Sequence, residues 1–187
     1  MSQKIDCSRE PGEISDLLSF VAEGNNLSVS QAENVFDAFM NDSASPTQMA
    51  AFLVALKVKG VVPTEVAGGV RALRKAMIPV AVTSKDRLID TCGTGGGDIT
   101  TFNISTAAAL VACAAGARIA KHGNRSFTSK SGSADVLEAL GVNIDLSPES
   151  MSQILEEVGI VFMFAPLLHP AMRHVGPVRR ELGFSTV

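Results

Sequence analysis

Strand-like and helix-like segments alternate along the chain after Pro79, and this alternation constrains the fold more than any other feature of the sequence. The strand-like segments are residues 87–91, 117–121 and 160–164, and the helix-like segments are residues 104–115, residues 134–140 and a stretch that begins at Ser147. Strands that alternate with helices form βαβ units around a parallel sheet. The sequence therefore predicts an α/β fold that contains the first part of a parallel sheet.

Residues 1–80 predict a small all-helical domain of four helices, which leaves residues 81–187 for the partial α/β domain. The first helix lies around Ile14 and Val21, and Ser30 with Glu33 has the spacing of a capping box at the start of the second. A unit of this size cannot bury every apolar stripe by itself. We therefore expect it to pack on a neighbour or a second subunit.

Proline and glycine mark the ends of the next two helices. Ser45, Pro46 and Gln48 stand at the N-cap, first and third positions of the third helix, and Gly60 stands where it should end. Pro63 opens the fourth helix, whose predicted apolar stripe is Val66, Val70, Leu73 and Met77.

Composition excludes several classes of protein. With 46% hydrophobic and 19% charged residues the chain is neither disordered nor fibrous, and a net charge of -3 without Trp or Tyr argues against nucleic-acid binding. The longest apolar run, residues 107–115, is far shorter than the ~20 residues of a membrane helix. Three cysteines at no metal-like spacing fit a reduced, cytoplasmic protein in which Cys92 and Cys113 are packing residues.

A glycine-dense turn, residues 93–98, joins the first predicted strand to the Ala-rich helix. Consecutive glycines let backbone N–H groups approach an anion, and the N-terminus of the following helix favours negative charge there. The turn is neither a Rossmann fingerprint, because Asp98 replaces the last glycine, nor a P-loop, because no Lys-Ser/Thr pair follows. A phosphate-binding turn of another type and a plain βα turn both remain.

Polar residues surround the same predicted end of the sheet. Residues 101–106 place short polar side chains at the start of the Ala-rich helix, more than one N-cap needs, and the basic loop 121–126 directly follows the second strand. Neighbouring parallel strands share one ligand crevice at their carboxyl ends. We therefore expect the glycine turn and the basic loop to face a ligand that carries more than one phosphate.

Three blocks carry a specific resemblance: DTCGTGGGDITTFNIST, AKHGNRSFTSKSGSADVLEALG and HPAMRHVGPVRREL. In this order they resemble anthranilate phosphoribosyltransferase of tryptophan biosynthesis. The resemblance implies a glycosyltransferase that moves 5-phosphoribose from phosphoribosyl pyrophosphate (PRPP) to the amine of anthranilate, with Mg²⁺ and release of pyrophosphate. It also implies a nucleoside phosphorylase-like fold and a homodimer formed through the N-terminal helical domain.

Position by position, the resemblance implies roles for individual residues. Lys121 and Asn124 would stabilise the leaving group, although no residue is marked as a certain catalyst. Ser105 would hold magnesium, and Gly93, Asn124 and Arg179 would meet anthranilate. The residues implied at PRPP are Gly93, Gly96, Gly97, Asp98, Thr101, Asn103, Ile104, Ser105, Thr106, Lys121, His122, Gly123, Asn124, Arg125, Ser126, Phe127, Thr128, Ser129 and Ser133.

The sequence departs from the family pattern in two places. The family usually has Gly-Thr-Gly-Gly-Asp-Gly, whereas here the acidic residue comes one position later, at Asp98 after Gly97. The family's later Asp-Glu pair, which binds magnesium, has no equivalent in this sequence, so activity of this chain alone is in question. Two alternatives therefore stay open: a non-catalytic paralogue or fragment that binds phosphorylated ligands or nucleic acid, and a pyrimidine nucleoside phosphorylase-like enzyme.

Overall fold

The computed structural model describes residues 13–83, 87–93, 102–126 and 131–183. In chain order its elements are α1 (Ile14–Ala22), α2 (Val29–Met40), α3 (Pro46–Lys59), α4 (Pro63–Ala76), β1 (Leu88–Ile89), α5 (Ile104–Ala114), β2 (Arg118–Gly123), α6 (Ser133–Ala139), α7 (Pro148–Val158), β3 (Ile160–Phe164), α8 (Ala165–Leu168) and α9 (Met172–Leu182). No helix among the described residues is long and apolar enough to cross a membrane.

These elements form two compact units. The helical unit contains the chain up to Met77 and the chain from Ala171 onward, and the α/β unit is Ile78–Pro170. The predicted division at residue 80 assigns α9 to the second domain, whereas α9 places Val175 and Val178 in the core of the helical unit. A helix over these residues was not predicted.

The core of the helical unit is built around three phenylalanine rings. Phe36, Phe39 and Phe52 meet edge to face, with ring centroids 5.6–5.7 Å apart. This is a favoured geometry for aromatic pairs, because the positive edge of one ring meets the negative face of the next. These contacts between aromatic side chains hold α2 and α3 together.

Local capping explains where α2 and α3 begin. The predicted cap of α3 is confirmed: Ser45 Oγ accepts from Gln48 N, Gln48 Oε1 accepts from Ser45 N, and Gly60 follows the last residue of the helix. The predicted start of α2 is wrong by two residues, since Ser28 caps it and pairs reciprocally with Gln31. Ser30 lies inside the helix.

α4 packs mainly by its small residues, and of the predicted stripe Leu73 packs against the core of the helical unit. Val66 and Val70 are 43% and 48% exposed, whereas Gly68 and Ala72 are buried. A Cβ atom at Gly68 would lie 2.5 Å from Ala32 Cβ of α2, which is too close for a real contact. The two backbones therefore approach each other closely, and this turns the valine positions outward.

A buried ion pair joins the ends of α3 and α4. Lys59 Nζ lies 3.0 Å from Glu65 Oε1, and Glu65 is fully buried. The same carboxylate accepts from the backbone N–H groups of Leu27 and Val62, each at 3.1 Å. Because its oxygens are hydrogen-bonded as well as paired with the ammonium, the buried charge is compensated.

The α/β unit confirms the predicted parallel sheet. The strand order is β1-β2-β3, with both pairings parallel and with Ile119 of β2 opposite Ile89 and Ile160. α5 connects β1 to β2, and α6 with α7 connects β2 to β3. Two small apolar clusters, one around Phe162 and one around Met151 and Leu155, hold α6 and α7 to the sheet.

Candidate phosphate-binding site

The carboxyl ends of β1 and β2 lie side by side. Asp90, the residue after β1, accepts through Oδ1 from the backbone N–H of Cys92 at 2.9 Å and from that of His122 in β2 at 3.3 Å. One carboxylate thus ties the turn after β1 to the last residues of β2. The start of the glycine-dense turn and the basic loop consequently reach the same end of the sheet.

Lys121 carries the central positive charge of this end. Its side chain is buried, with 3% of the residue exposed, and Nζ donates to Ser105 Oγ at 3.3 Å. Burial lowers the pKa of the Lys121 ammonium, against the opposing attraction of Asp90 and Cys92. Because no carboxylate in the described part of the chain forms an ion pair with it, the geometry favours a bound anion as its partner.

The start of α5 presents further polar groups next to Lys121. Asn103 occupies the N-cap position, but its side chain donates to Gly132 O at 3.3 Å and caps nothing. Ser105 is half-buried, and the backbone oxygen of Ser105 accepts from Thr91 Oγ1 at 2.8 Å. Thr106 is 5% exposed, and its hydroxyl has no hydrogen-bond partner among the described residues. As expected, the segment holds more polar groups than helix capping uses.

The turn after β2 is fixed by close packing. A Cβ atom at Gly123 would overlap the Ser133 hydroxyl and the Phe162 ring, so this position leaves no room for a side chain. Asn124 O accepts from Ser133 Oγ at 3.2 Å and from Ala134 N at 3.3 Å, which joins the loop to the start of α6.

Arg125 of the basic loop is paired with two acidic residues of α6. Its guanidinium lies 3.1 Å from Asp135 Oδ1 and 2.8 Å from Glu138 Oε1, both on α6. The N–H groups of Gly132 and Ser126 are the main cause of a lowered pKa at the Asp135 carboxyl, and Arg125 adds to that shift. The guanidinium is therefore engaged by α6, while Lys121 keeps its charge for a ligand.

Two histidines, one of them in the basic loop, lie next to each other. The rings of His122 and His169 are perpendicular, with centroids 5.7 Å apart, and each has one buried nitrogen without a partner in the described residues. Burial, and secondarily the His122 ring, lowers the pKa of the His169 imidazole. The sequence did not predict this pairing, because the spacing of the two residues gives no signal for it.

Other predicted site residues are exposed, belong to the helical unit or lie outside the described part. Gly93 is exposed, and a Cβ atom there would meet nothing within 4 Å. Ile104 is 52% exposed at the start of α5, and Arg179 lies half-buried on α9 in the helical unit. The residues outside the described ranges are Gly96, Gly97, Asp98, Thr101, Phe127, Thr128 and Ser129.

The cysteines only partly match their predicted packing role. Cys113 is half-buried, and its thiol lies 3.9 Å from Val158 O. Cys92 is exposed, so the packing role predicted for it is wrong. Its thiol donates to Asp90, and this hydrogen bond is the main reason that the pKa of the Cys92 thiol is raised.

Comparison with known families identifies the fold as a whole. The helical bundle domain of a glycosyl transferase family matches residues 15–77, and the a/b domain of the same family matches residues 85–187. The chain belongs to this glycosyl transferase family. The predicted order, a helical bundle followed by a partial α/β domain, is thereby confirmed.

Individual relatives in the glycosyl transferase family agree on one kind of enzyme. The chain is 50% identical over 171 residues to anthranilate phosphoribosyltransferase of Symbiobacterium thermophilum, which covers 91% of this chain and 50% of the relative. The crystal structure of anthranilate phosphoribosyltransferase from Thermus thermophilus superimposes with a TM-score of 0.81 at 44% identity, covering 91% of this chain and 51% of that one. The predicted resemblance is thereby confirmed.

A further solved structure carries ligands. Anthranilate phosphoribosyltransferase from Saccharomyces cerevisiae, in complex with PRPP and Mg, superimposes with a TM-score of 0.77 at 27% identity and covers 92% of this chain and 52% of that one. The chain spans about half the length of the curated relatives that it matches.

Proposed function

We propose that this chain provides the PRPP-binding edge of an anthranilate phosphoribosyltransferase, which transfers 5-phosphoribose from PRPP to the amine of anthranilate and releases pyrophosphate. The observation that carries the proposal is the buried Lys121, whose ammonium reaches Ser105 at the shared carboxyl end of β1 and β2. The identity of about 50% to enzymes of that name supports the same function.

The reaction requires neutralisation of the negative charge on the leaving pyrophosphate more than it requires a strong base. The bond between the anomeric carbon and pyrophosphate breaks with the electron pair leaving on pyrophosphate, the amine nitrogen of anthranilate forms the new bond, and the nitrogen then loses one proton. In this proposal the Lys121 ammonium meets the growing negative charge of pyrophosphate. Asn124, held by its contacts to α6, offers its side-chain amide to the same group.

The donor set at the start of α5 fits the proposed Mg²⁺. Mg²⁺ takes oxygen ligands and keeps waters and substrate phosphates, and the Ser105 hydroxyl is an oxygen that already accepts from a cationic group. Ser105 would therefore hold the ion together with phosphate oxygens. When bound, the ion supplies neutralisation of pyrophosphate charge.

The remaining contacts to substrate are proposed from the resemblance. Asn103, Ile104, Thr106, His122, Gly123, Arg125, Ser126 and Ser133 would line PRPP, with Arg125 contributing through its backbone because its guanidinium is engaged. The same role is proposed for the residues outside the described ranges. Gly93, Asn124 and Arg179 would meet anthranilate, Arg179 by pairing with the carboxylate.

The helical unit supports a homodimer as part of the same proposal. α3 exposes Val54 at 39% and Val58 at 82%, next to an apolar groove of about 730 Å³ between the end of α1 and α3. A second copy packed on this face would cover these side chains. The predicted division into residues 1–80 and 81–187 belongs to this proposal as well, except that α9 is part of the helical unit.

Titration of the chain with PRPP and Mg²⁺ by calorimetry, followed by addition of anthranilate with detection of its fluorescence, tests the proposal. We expect Mg²⁺-dependent PRPP binding that K121M weakens about 10- to 100-fold, as loss of a hydrogen bond to a charged group does. K75M removes an exposed lysine of α4 and is the matched control.

Unchanged PRPP affinity in K121M would contradict the proposed site. Phosphate-dependent cleavage of a pyrimidine nucleoside without use of anthranilate would favour the phosphorylase alternative. Binding of PRPP without consumption of anthranilate would favour the non-catalytic one.

A further inference from the structure

A mixed set of metal-binding side chains lies at the end of β1 and β2, apart from the oxygen donors of α5. Asp90, Cys92 and His122 each bring one ligand atom, and these three atoms all lie within 4.8 Å of one another. Asp90 and Cys92 are exposed and His122 is half-buried, so an ion can reach the cluster from solvent.

We propose that Asp90, Cys92 and His122 form a binding site for Zn²⁺. A thiolate, an imidazole and a carboxylate together are the donor set of tetrahedral zinc centres, whereas Mg²⁺ takes oxygen ligands. The site is therefore distinct in chemistry from the magnesium position proposed at Ser105, and its existence does not depend on the phosphoribosyltransferase function.

The spacing of the three groups is close to what a zinc ion requires. Zinc bond lengths of about 2.0–2.3 Å set tetrahedral ligand atoms roughly 3.3–3.8 Å apart. The three atoms here lie within 4.8 Å of one another, and Cys92 is exposed, so a small movement of its side chain would bring the atoms to these distances. Three protein ligands leave the fourth position for water.

Fixed hydrogen bonds hold the carboxylate of the cluster, and the imidazole has a nitrogen without a partner in the described residues. Asp90 is held by the N–H groups of Cys92 and His122, at 2.9 and 3.3 Å, and its carboxylate keeps lone pairs free for an ion. His122 has a buried Nε2 atom without a hydrogen-bond partner in the described residues. An unpaired buried nitrogen is costly, and a bound ion would hold the ring through one of its nitrogens.

Co²⁺ titration of the C7S/C113S variant tests the site, because in that variant any cobalt-thiolate charge-transfer band must come from Cys92. We expect one Co²⁺ per chain, with the near-ultraviolet band and the visible bands of a tetrahedral site, and displacement by Zn²⁺. Adding C92S should abolish the charge-transfer band. H122Q and D90N should weaken binding at least about tenfold, the loss that even outer partners of metal ligands cause.

Matched controls use the same residue types away from the cluster. H174Q changes a histidine that pairs with Asp42 in the helical unit, and D145N changes an exposed aspartate in the loop before α7. Both should bind Co²⁺ as the parent does, and circular dichroism confirms that each variant is folded. Absence of the thiolate band in the folded parent, or equal affinity in H122Q and H174Q, would overturn the proposal whatever the result with PRPP.

Discussion

The ammonium group of Lys121 lowers the stability of the fold, whereas the proposed binding of an anion requires it. Its ammonium is buried beside Ser105, and burial lowers the pKa of this group below its ordinary value of 10.5. Because the pKa of this base is lowered on folding, the unfolded chain binds more protons than the folded one only between the folded-state pKa and 10.5. The free energy of unfolding therefore rises as the pH increases toward 10.5.

K121M should relieve this penalty. We expect the free energy of unfolding of K121M at pH 7 to be equal to or about 1 kcal/mol above that of the parent, because an apolar side chain replaces an uncompensated buried charge. Urea unfolding at pH 7 and at about pH 10 measures it, and the rise in stability between the two should be smaller in K121M. A large loss of stability in K121M, with the pH dependence unchanged, would contradict the argument.

Two glycines of the candidate site make opposite predictions for the same substitution. A methyl group at Gly123 would overlap Ser133 and Phe162, whereas one at Gly93 would meet nothing within 4 Å. We expect G123A to lower the free energy of unfolding by about 1–3 kcal/mol, as overpacking does, and G93A to leave it nearly unchanged. Thermal unfolding of both variants checks this, and equal melting temperatures would show that β2 has room to shift.

At this scale the sequence predicted residue types better than residue partners. The sequence identified the polar start of α5 and Lys121, near the end of the second strand, because a parallel sheet brings such positions together. The engagement of Arg125 by Asp135 and Glu138 was not, since both carboxylates lie on a helix whose orientation only the folded loop determines. The exposure of Cys92 was likewise not predicted.

At the start of α2, the same capping motif fits the sequence in two registers. The sequence contains Ser28 before Gln31 and Ser30 before Glu33, and both pairs have capping-box spacing. The structure uses the first pair, so α2 starts at Val29. Choosing between them requires the connection from α1, where Leu27 N donates to Glu65 in the buried ion pair.

Alanine at each serine tests this assignment. S28A should lower the free energy of unfolding by about 1 kcal/mol, because the N-cap hydrogen bond to Gln31 N is lost. S30A lies inside α2 and should be neutral or slightly stabilising, since alanine has the highest helix propensity. Urea unfolding of the two variants distinguishes them, and a larger loss in S30A would restore the original sequence-based register.

α4 and α9 are elements for which the pattern of apolar residues was not enough. The valines of α4 follow a helical period but face outward, because Gly68 allows a backbone approach that a hydropathy pattern does not express. α9 contains Gly176 and Pro177 within its span, two residues that usually interrupt a helix. It is stabilised by burial of Val175 and Val178 in the helical unit.

At the scale of the whole molecule, the order of helical and α/β parts followed from the change of sequence pattern after Pro79, and the family comparison confirms it. The return of α9 to the helical unit did not follow, because linear order does not reveal which core a terminal helix joins. The exposed face of α3 is the feature of this unit that bears on assembly.

A charge on that face should separate the proposed dimer. V58D introduces a carboxylate at a position whose side chain is 82% exposed in the isolated chain. We expect it to convert the proposed dimer to a monomer, because burial of an unpaired charge is unfavourable. V111D is the control, since Val111 is 70% exposed on α5 of the other unit. Light scattering after size-exclusion chromatography measures the mass. A V58D protein with the mass of the parent dimer would contradict this interface.

Backbone amide spectra recorded during titration with PRPP and Mg²⁺ test most directly whether the ends of β1 and β2 form one anion-binding edge. We expect the chemical-shift changes to concentrate at Gly93, at residues 103–106 and at residues 121–126, and to disappear in K121M. Shifts confined to the helical unit, or shifts around β2 that persist unchanged in K121M, would contradict it.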